Sequence, residues 1–324
     1  MATKVFVDGQ EGTTGLQIHE RLAGRSDLEL LTIDPNDRKS VEARRLLLNA
    51  ADVAVLCLPD VAARESASLV NNANTCVIDA STAHRIDPAW SYGLPELSAA
   101  HRSALAGAKR IANPGCHATG FLLAVFPLIQ AGVIDRDAAL SCMSITGYSG
   151  GGKSLIAAHE GDGQLEQREP GSSPSHGAPR MYSLALEHKH IPEMETLAGL
   201  THPPHFNPVV GAFYKGMAVS VPLLSGVLSK ALTSAALCEL LAEHYEGEHF
   251  VRVLPYEATP TLDSGFLDPT SCNGTNRADI HVFGNEKHLQ ITVVLDNLGK
   301  GAGGAAVQNL NLAIGVDETT GLDA

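Results

Sequence analysis

Basic side chains are scarce in this sequence: 23 Lys and Arg stand against 36 Asp and Glu, a formal charge of −13. That balance argues against a broad cationic face for nucleic acid or for an anionic membrane, so an anionic ligand must be held by a local cluster. No apolar segment reaches the roughly 18 residues of a membrane span. The six cysteines (Cys57, Cys76, Cys116, Cys142, Cys238 and Cys272) include no C-x-x-C pair, and no His-rich spacing suggests zinc. The expectation is free thiols in a reducing cytoplasm, with no metal. Met1-Ala2-Thr3-Lys4 leads straight into a strand-like run, so no signal segment is expected. Low-complexity tracts and internal repeats are also absent. What is present is 324 residues of 44% hydrophobic content, enough for about two domains.

The first hundred residues read as strand and helix in alternation. Lys4 to Asp8 is a short β-rich run, followed by Gly9-Gln10-Glu11-Gly12-Thr13-Thr14-Gly15 and an amphipathic stretch through Leu22. Strand, glycine loop, helix is the order a dinucleotide site needs: glycines admit a pyrophosphate close to the backbone, and the helix N-terminus faces its charge. The spacing departs from G-x-G-x-x-G, so the pattern by itself also fits a surface turn. Continuously apolar strands are expected at Leu28 to Ile33, Val53 to Leu58 and Cys76 to Asp79, with helical patterns between. Such runs belong to a parallel sheet covered on both faces. After the second strand, Asp34 would suit a ribose hydroxyl, whereas Arg38 and Lys39 would suit a 2′-phosphate; two cations in an acidic chain favour NADP. Ser81 and Arg85 follow a strand end at the ligand crevice, and Arg offers a bidentate fork to a carboxylate or phosphate.

Asn113-Pro114-Gly115-Cys116-His117-Ala118-Thr119-Gly120 precedes the apolar run Phe121 to Phe126, which predicts a helix starting at Cys116. A thiol against the first turn of a helix ionises more readily, and the thiolate is the nucleophile. A small buried cysteine behind a turn is the alternative reading.

Beyond Cys116 the pattern changes. Ala139 to Ile145 reads as a strand, and Thr146 to Ser154 as a Gly-rich turn that lacks the G-x-x-x-x-G-K-[ST] spacing of a nucleotide triphosphatase. Residues 160–179 suggest a loop or lid. His188-Lys189-His190 stands just before Pro192, which can start a helix to about Leu200. The two histidines are candidate acid/base groups for a cysteine nucleophile; as a metal pair they lack further ligands. Val209 to Tyr214 and Met217 to Leu223, joined by Lys215-Gly216, signal a hairpin. A helix at Ser229 to Glu246, a strand at Val251 to Leu254, and pairing of Ile280 to Phe283 with Leu289 to Leu295 complete an antiparallel sheet with helices on one face. Asn297 to Gly304 then opens a last helix, Ala305 to Ile314. The fold class expected is α/β: a Rossmann-type dinucleotide-binding domain (residues 1–112 plus 300–324) with an inserted α+β catalytic and oligomerisation domain (113–299).

The glycine loop, Tyr92-Gly93-Leu94-Pro95-Glu96, the cysteine octamer, His188-Lys189-His190-Ile191-Pro192-Glu193 and Lys300-Gly301-Ala302 together resemble N-acetyl-gamma-glutamyl-phosphate reductase of the shorter type, over essentially the whole chain. The octamer is shared with aspartate-semialdehyde dehydrogenases. The sequence departs from longer members at Ala80 and Thr82-Ala83-His84, which puts mainly the pocket wall in doubt. The resemblance implies NADPH-dependent reduction of an acyl phosphate, with release of inorganic phosphate, in arginine biosynthesis. It implies a thioester on Cys116, His190 as first choice of acid/base and His188 as second. Implied cofactor contacts are Gly9, Gly12, Thr13, Thr14, Gly15, Arg38, Lys39, Pro59, Ser81, Gly150 and Asn297. Implied substrate contacts are Arg85, Asn113, Lys153 and Tyr182, and the assembly is expected to be a homo-oligomer, dimer or tetramer. A reductase of aspartyl or aminoadipyl phosphate, or a non-catalytic NADP-binding regulator, are the alternatives.

Overall fold

The computed structural model describes residues 2–160, 177–224, 226–256, 262–285 and 287–324. Two compact units divide the chain: Met1–Cys116 with Lys300–Ala324, and His117–Gly299. In the first unit six strands lie in the order β2-β1-β3-β4-β6-β5, where β1 is Thr3–Asp8, β2 Leu28–Leu31, β3 Val53–Leu56, β4 Cys76–Asp79, β5 Ser91–Tyr92 and β6 Arg110–Ala112. Every pairing is parallel. Side chains alternate across a strand, so Val5, Val7, Val53, Val55 and Ile78 share one face with Ile18 and Leu22 of helix α1 (Thr13–Ala23) and with Val307 and Leu310 of the C-terminal helix (Gly304–Ile314). Phe6, Ala54, Leu56 and Val77 face the other way, with Leu48 of α2 (Val41–Ala50). Burying each large aliphatic side chain contributes about 1.5–3 kcal/mol, which is why these strands read as unbroken apolar runs. Helices α3 (Asp60–Ser68) and α4 (Ala99–Leu105) complete the unit; Ser40 and Ser98 cap α2 and α4 by accepting from Ala43 N–H and His101 N–H.

The second unit begins one residue into α5 (Cys116–Gln130), a helix buried all round from His117 to Ile129. Around it run β7 (Ser141–Gly147), α6 (Gly152–Glu160), β8 (Arg180–Met181), α7 (Ile191–Ala198), β9 (His205–Gly211), β10 (Met217–Leu224), α8 (Ser234–His244), β11 (Val251–Val253), β12 (Ala278–Gly284) and β13 (His288–Leu295). The sheet order is β11-β12-β13-β10-β7-β9-β8. Gly120 lets α5 approach β10 closely, for a Cβ there would meet Val219 Cγ2 at 2.6 Å. Tyr245, at the end of α8, donates its hydroxyl to Leu123 O of α5 at 2.7 Å.

Two expectations need correction here. β9 and β10 are not a hairpin: β7 lies between them, parallel to β9 and antiparallel to β10. The connection instead folds across the end of β7, where Gly147, Tyr148 and Ser149 N–H groups donate to Gly216, Phe213 and Tyr214 carbonyls, each at 2.9 Å. A Gly in a connection of that length permits this crossing as readily as a tight turn. The sheet is also mixed rather than antiparallel, since β11 pairs β12 in parallel as well. Of the expected 160–179 loop, residues 161–176 lie outside the described residues.

Candidate active site

The loop after β1 is built for close backbone approach. Gly9 has φ +87°, a conformation that favours glycine, and its carbonyl accepts from Gly12 N–H at 3.0 Å. A Cβ on Gly15 would sit 2.9 Å from Gln10 Cα and closer still to Gly9 O. Gly12 is the N-cap of α1 without a side-chain cap, and Thr13 and Thr14 form its first turn, leaving N–H groups available to an anion. A cavity of about 390 Å³ is lined by this loop, Arg38, Lys39, Arg44, Cys57 and Leu58. Backbone cradle, helix N-terminus and adjacent cations fit the phosphates of a dinucleotide. Pro59 is exposed as the N-cap of α3. Burial pushes the neighbouring Cys57 thiol up to about 12, helped by the negative charges of Asp79 and Asp8, so it stays protonated.

Still in the first unit, β6 delivers the Asn113-Pro114-Gly115-Cys116 turn. Asn113 is held at every polar group: its N–H donates to Asp79 O (2.8 Å), its carbonyl accepts from Arg85 Nε (3.0 Å), Nδ2 donates to Ala302 O (3.0 Å), and Oδ1 accepts from Asn309 Nδ2 (3.0 Å). Arg85 also donates from Nη2 to Ala80 O at 3.1 Å. The Ser81 hydroxyl donates to Asp79 Oδ2 at 2.8 Å, and the same oxygen lies 2.6 Å from His84 Nδ1, whose ring stacks on Trp90 at 4.0 Å. Cys116 is half-buried as the first residue of α5.

A histidine cluster forms inside the second unit. His117, on α5, hydrogen-bonds Ser144 Oγ of β7 through Nδ1 and Tyr182 Oη through Nε2, both at 2.8 Å. Its ring centroid lies 5.3 Å from His188, 5.4 Å from His190 and 5.1 Å from Phe206. His188 and His190 meet edge to face at 4.8 Å. Burial drives His117 down to about 3, with the neighbouring His188 and Lys189 adding to the effect. A neutral imidazole donates through one nitrogen, so whichever hydroxyl it donates to, the other must donate to it. His190 N–H donates to His188 Nδ1 at 3.1 Å, which places any His188 proton on Nε2. His190 is buried at the N-terminus of α7.

Gly150 and Asn297 are neighbours: a Cβ on Gly150 would lie 3.5 Å from Asn297 Nδ2. The Asn297 amide accepts from Gly216 N–H at 2.8 Å and donates to Ser149 Oγ at 3.0 Å. Lys153 is exposed on α6. Sequence reasoning passed over His117, Ser144, Phe206 and Asn309. His117 did leave a signal, a histidine heading a helix otherwise apolar on all sides; Asn309 left none. Among the described residues, no cluster of His, Cys, Asp or Glu is placed to hold a metal ion, and no helix is long and apolar enough to cross a membrane.

Residues 4–105 match the semialdehyde dehydrogenase NAD binding domain, and residues 116–297 match the semialdehyde dehydrogenase dimerisation domain. The chain is 44% identical to N-acetyl-gamma-glutamyl-phosphate reductase 2 of Nostoc sp., covering 98% of this chain and 99% of that one. It is 46% identical to N-acetyl-gamma-glutamyl-phosphate reductase of Chelativorans sp., covering 97% and 99%. Aspartate semialdehyde dehydrogenase II of Vibrio cholerae shares the fold, with a TM-score of 0.71 over 97% of this chain and 99% of that one at 17% identity. With both domains matched in order, and with relatives of one name aligned from end to end, the chain belongs to the semialdehyde dehydrogenase family and, within it, to the N-acetyl-gamma-glutamyl-phosphate reductases.

Proposed function

We propose that this chain catalyses the NADPH-dependent reductive dephosphorylation of N-acetyl-gamma-glutamyl phosphate to N-acetylglutamate semialdehyde, a step of arginine biosynthesis. The observation that carries the reading is the end-to-end identity with reductases of that name. Gly9, Gly12 and Gly15 would hold the pyrophosphate of a nicotinamide cofactor, with Arg38 and Lys39 for a 2′-phosphate, and the cofactor would supply the hydride.

The chain's own residues supply the rest. Cys116 Sγ, as thiolate, attacks the acyl carbon, the carbon to oxygen bond breaks, and inorganic phosphate leaves, giving a thioester. After reduction the thiohemiacetal oxygen carries negative charge, which the first N–H groups of α5 stabilise. His190 delivers a proton to that oxygen and withdraws it as the carbon to sulfur bond breaks, releasing aldehyde and thiolate. His188 is the weaker candidate, because its Nδ1 lone pair is engaged by His190 N–H. Tyr182 and Lys153 serve the substrate, with Tyr182 oriented by His117. Arg85 serves it either directly or by fixing the Asn113 carbonyl. The matched dimerisation domain accords with a homodimer or a tetramer built from dimers.

The reverse reaction gives the test. Reduction of NADP should occur with N-acetylglutamate semialdehyde only when inorganic phosphate is present, and not with aspartate semialdehyde. Activity with the aspartyl aldehyde alone would overturn the substrate. Substantial turnover by Cys116→Ser that still binds NADP would overturn the thioester.

A further inference from the structure

Three cations line the cavity beside the glycine loop, and they are not equivalent. Arg44 is buried and committed: its guanidinium bonds Asp8 Oδ2, with Nε at 3.1 Å, and the Ser66 hydroxyl, while Ser66 itself donates to Asp8 at 2.6 Å. Lys39 stands exposed at the mouth. Arg38 is shared. Its Nη1 pairs with the carboxylate of Glu11, a residue of the glycine loop itself, whereas its buried Nε has no hydrogen-bond partner among the described residues.

An acidic residue inside a loop that presents N–H groups and a helix N-terminus to phosphate runs against the chemistry of the site. Glu11 stands two residues ahead of Thr13, where α1 begins, and on the wall of the same cavity as Arg38 and Lys39. We propose that Glu11 is a specificity-determining counter-charge: it holds the Arg38 guanidinium in the free protein and must yield it to the 2′-phosphate of the bound nucleotide. The proposal rests on the NADP reading above.

Both partners of the pair are partly exposed, with side chains 32% and 56% accessible. An exposed pair of this kind is weak enough for a phosphate carrying about −1.5 to −2 charges to displace it. The phosphate then gains the Nη1 donor that Glu11 released together with Nη2, the end-on pair of donors a bidentate contact can use. The carboxylate remains in the loop and repels the incoming charge. Glu11 therefore lowers affinity for the phosphorylated nucleotide in particular. NAD, which has a ribose hydroxyl in that place, does not have to displace it.

The test is equilibrium binding of NADP and of NAD, in their oxidised forms, to the full chain by titration calorimetry. Wild type, E11Q, R38L and the E11Q/R38L double variant would be compared, with far-ultraviolet circular dichroism as the folding control. Wild type should prefer NADP. E11Q should bind NADP about 1.4-fold to fivefold more tightly, the range of one exposed charge pair, and leave NAD binding unchanged. In the R38L background the Glu11 substitution should tighten NADP much less. A wild-type preference for NADP that E11Q leaves unchanged or weakens would overturn the role of Glu11 while leaving the cofactor reading standing. Equal tightening of both nucleotides by E11Q would overturn it too, since the carboxylate would then act on the shared pyrophosphate. Equal affinity of wild type for NADP and NAD would overturn the cofactor reading and this inference together.

Discussion

Lys300 is fully buried in the first unit, its ammonium 2.6 Å from Glu96 Oε1 and 2.7 Å from Gln308 Oε1. Gln308 Nε2 donates to the same Glu96 oxygen at 2.8 Å. Burial pushes the Glu96 carboxyl up, but the Lys300 charge and the hydrogen bonds from Gln308 and Lys300 together hold it below its ordinary 4.5. Lys300→Met keeps the length of the side chain and removes the charge, leaving a carboxylate in the core with neutral partners, Gln308 and the Glu96 backbone N–H. Breaking a buried pair in this way costs about 3–5 kcal/mol, a large part of the roughly 5–15 kcal/mol that holds a typical domain folded. The pH dependence should reverse. In the wild type the depressed carboxyl contributes stability above its unfolded value, and that contribution is lost as pH falls through the folded value. In the variant burial acts unopposed and the folded value rises, so the contribution is present below the unfolded value and lost as pH climbs through the raised one. The gap between the two proteins should therefore widen from about pH 5 to about pH 8. Urea unfolding across that range measures it. Lys300→Met/Glu96→Gln should recover most of the loss, because the unpaired charge is gone. Equal destabilisation of single and double variants, or a gap independent of pH, would refute the reasoning.

Gly15→Ala places a methyl against Gly9 O and Gln10 Cα, so NADP affinity measured by nucleotide fluorescence should fall while the thermal midpoint changes much less; unaltered affinity would mean the loop relaxes freely. His117 should remain neutral through the physiological range. Because its folded value is depressed to about 3, it contributes stability above the unfolded 6.5 that is lost as pH falls from there towards 3. An imidazole resonance of His117 titrating near neutrality would contradict that. Gly120→Ala should destabilise the protein by about 1–3 kcal/mol through overpacking, partly restored by Val219→Ala, since the added methyl meets Val219 at 2.6 Å.

Much of the first unit was legible because its physics is local. Unbroken apolar runs at Val5 to Val7 and Val53 to Leu58, punctuated by Gly9 and Pro59, leave little choice but strands buried on both sides, and β1, β3 and β4 follow. The start of α5 at Cys116 was equally plain, with Pro114 and Gly115 before it and an apolar run after it. β5 and β6 were not, since two or three residues carry no periodicity. In the second unit most strands were visible, though not the two-residue β8, and β9 starts four residues earlier than its apolar run; their neighbours were not visible, since β9 and β10 read as a hairpin until β7 is found between them.

The sequence by itself determined the elements that depend on residue type and near-neighbour spacing: the glycine loop ahead of a helix, the cysteine at a helix start, the pair of histidines before Pro192, and the resemblance their combination carries. Tertiary structure decided what depends on partners far apart in the chain. It brought Asn309 to the Asn113 side chain across 196 residues, turned Asn297 to tie Gly216 to Ser149, made His117 the centre of a cluster that includes Tyr182 and His190, and set Glu11 against Arg38. Periodicity records which face of an element is buried, because burial selects residue types one position at a time. A hydrogen bond or ion pair selects two positions jointly, and one sequence does not say which two.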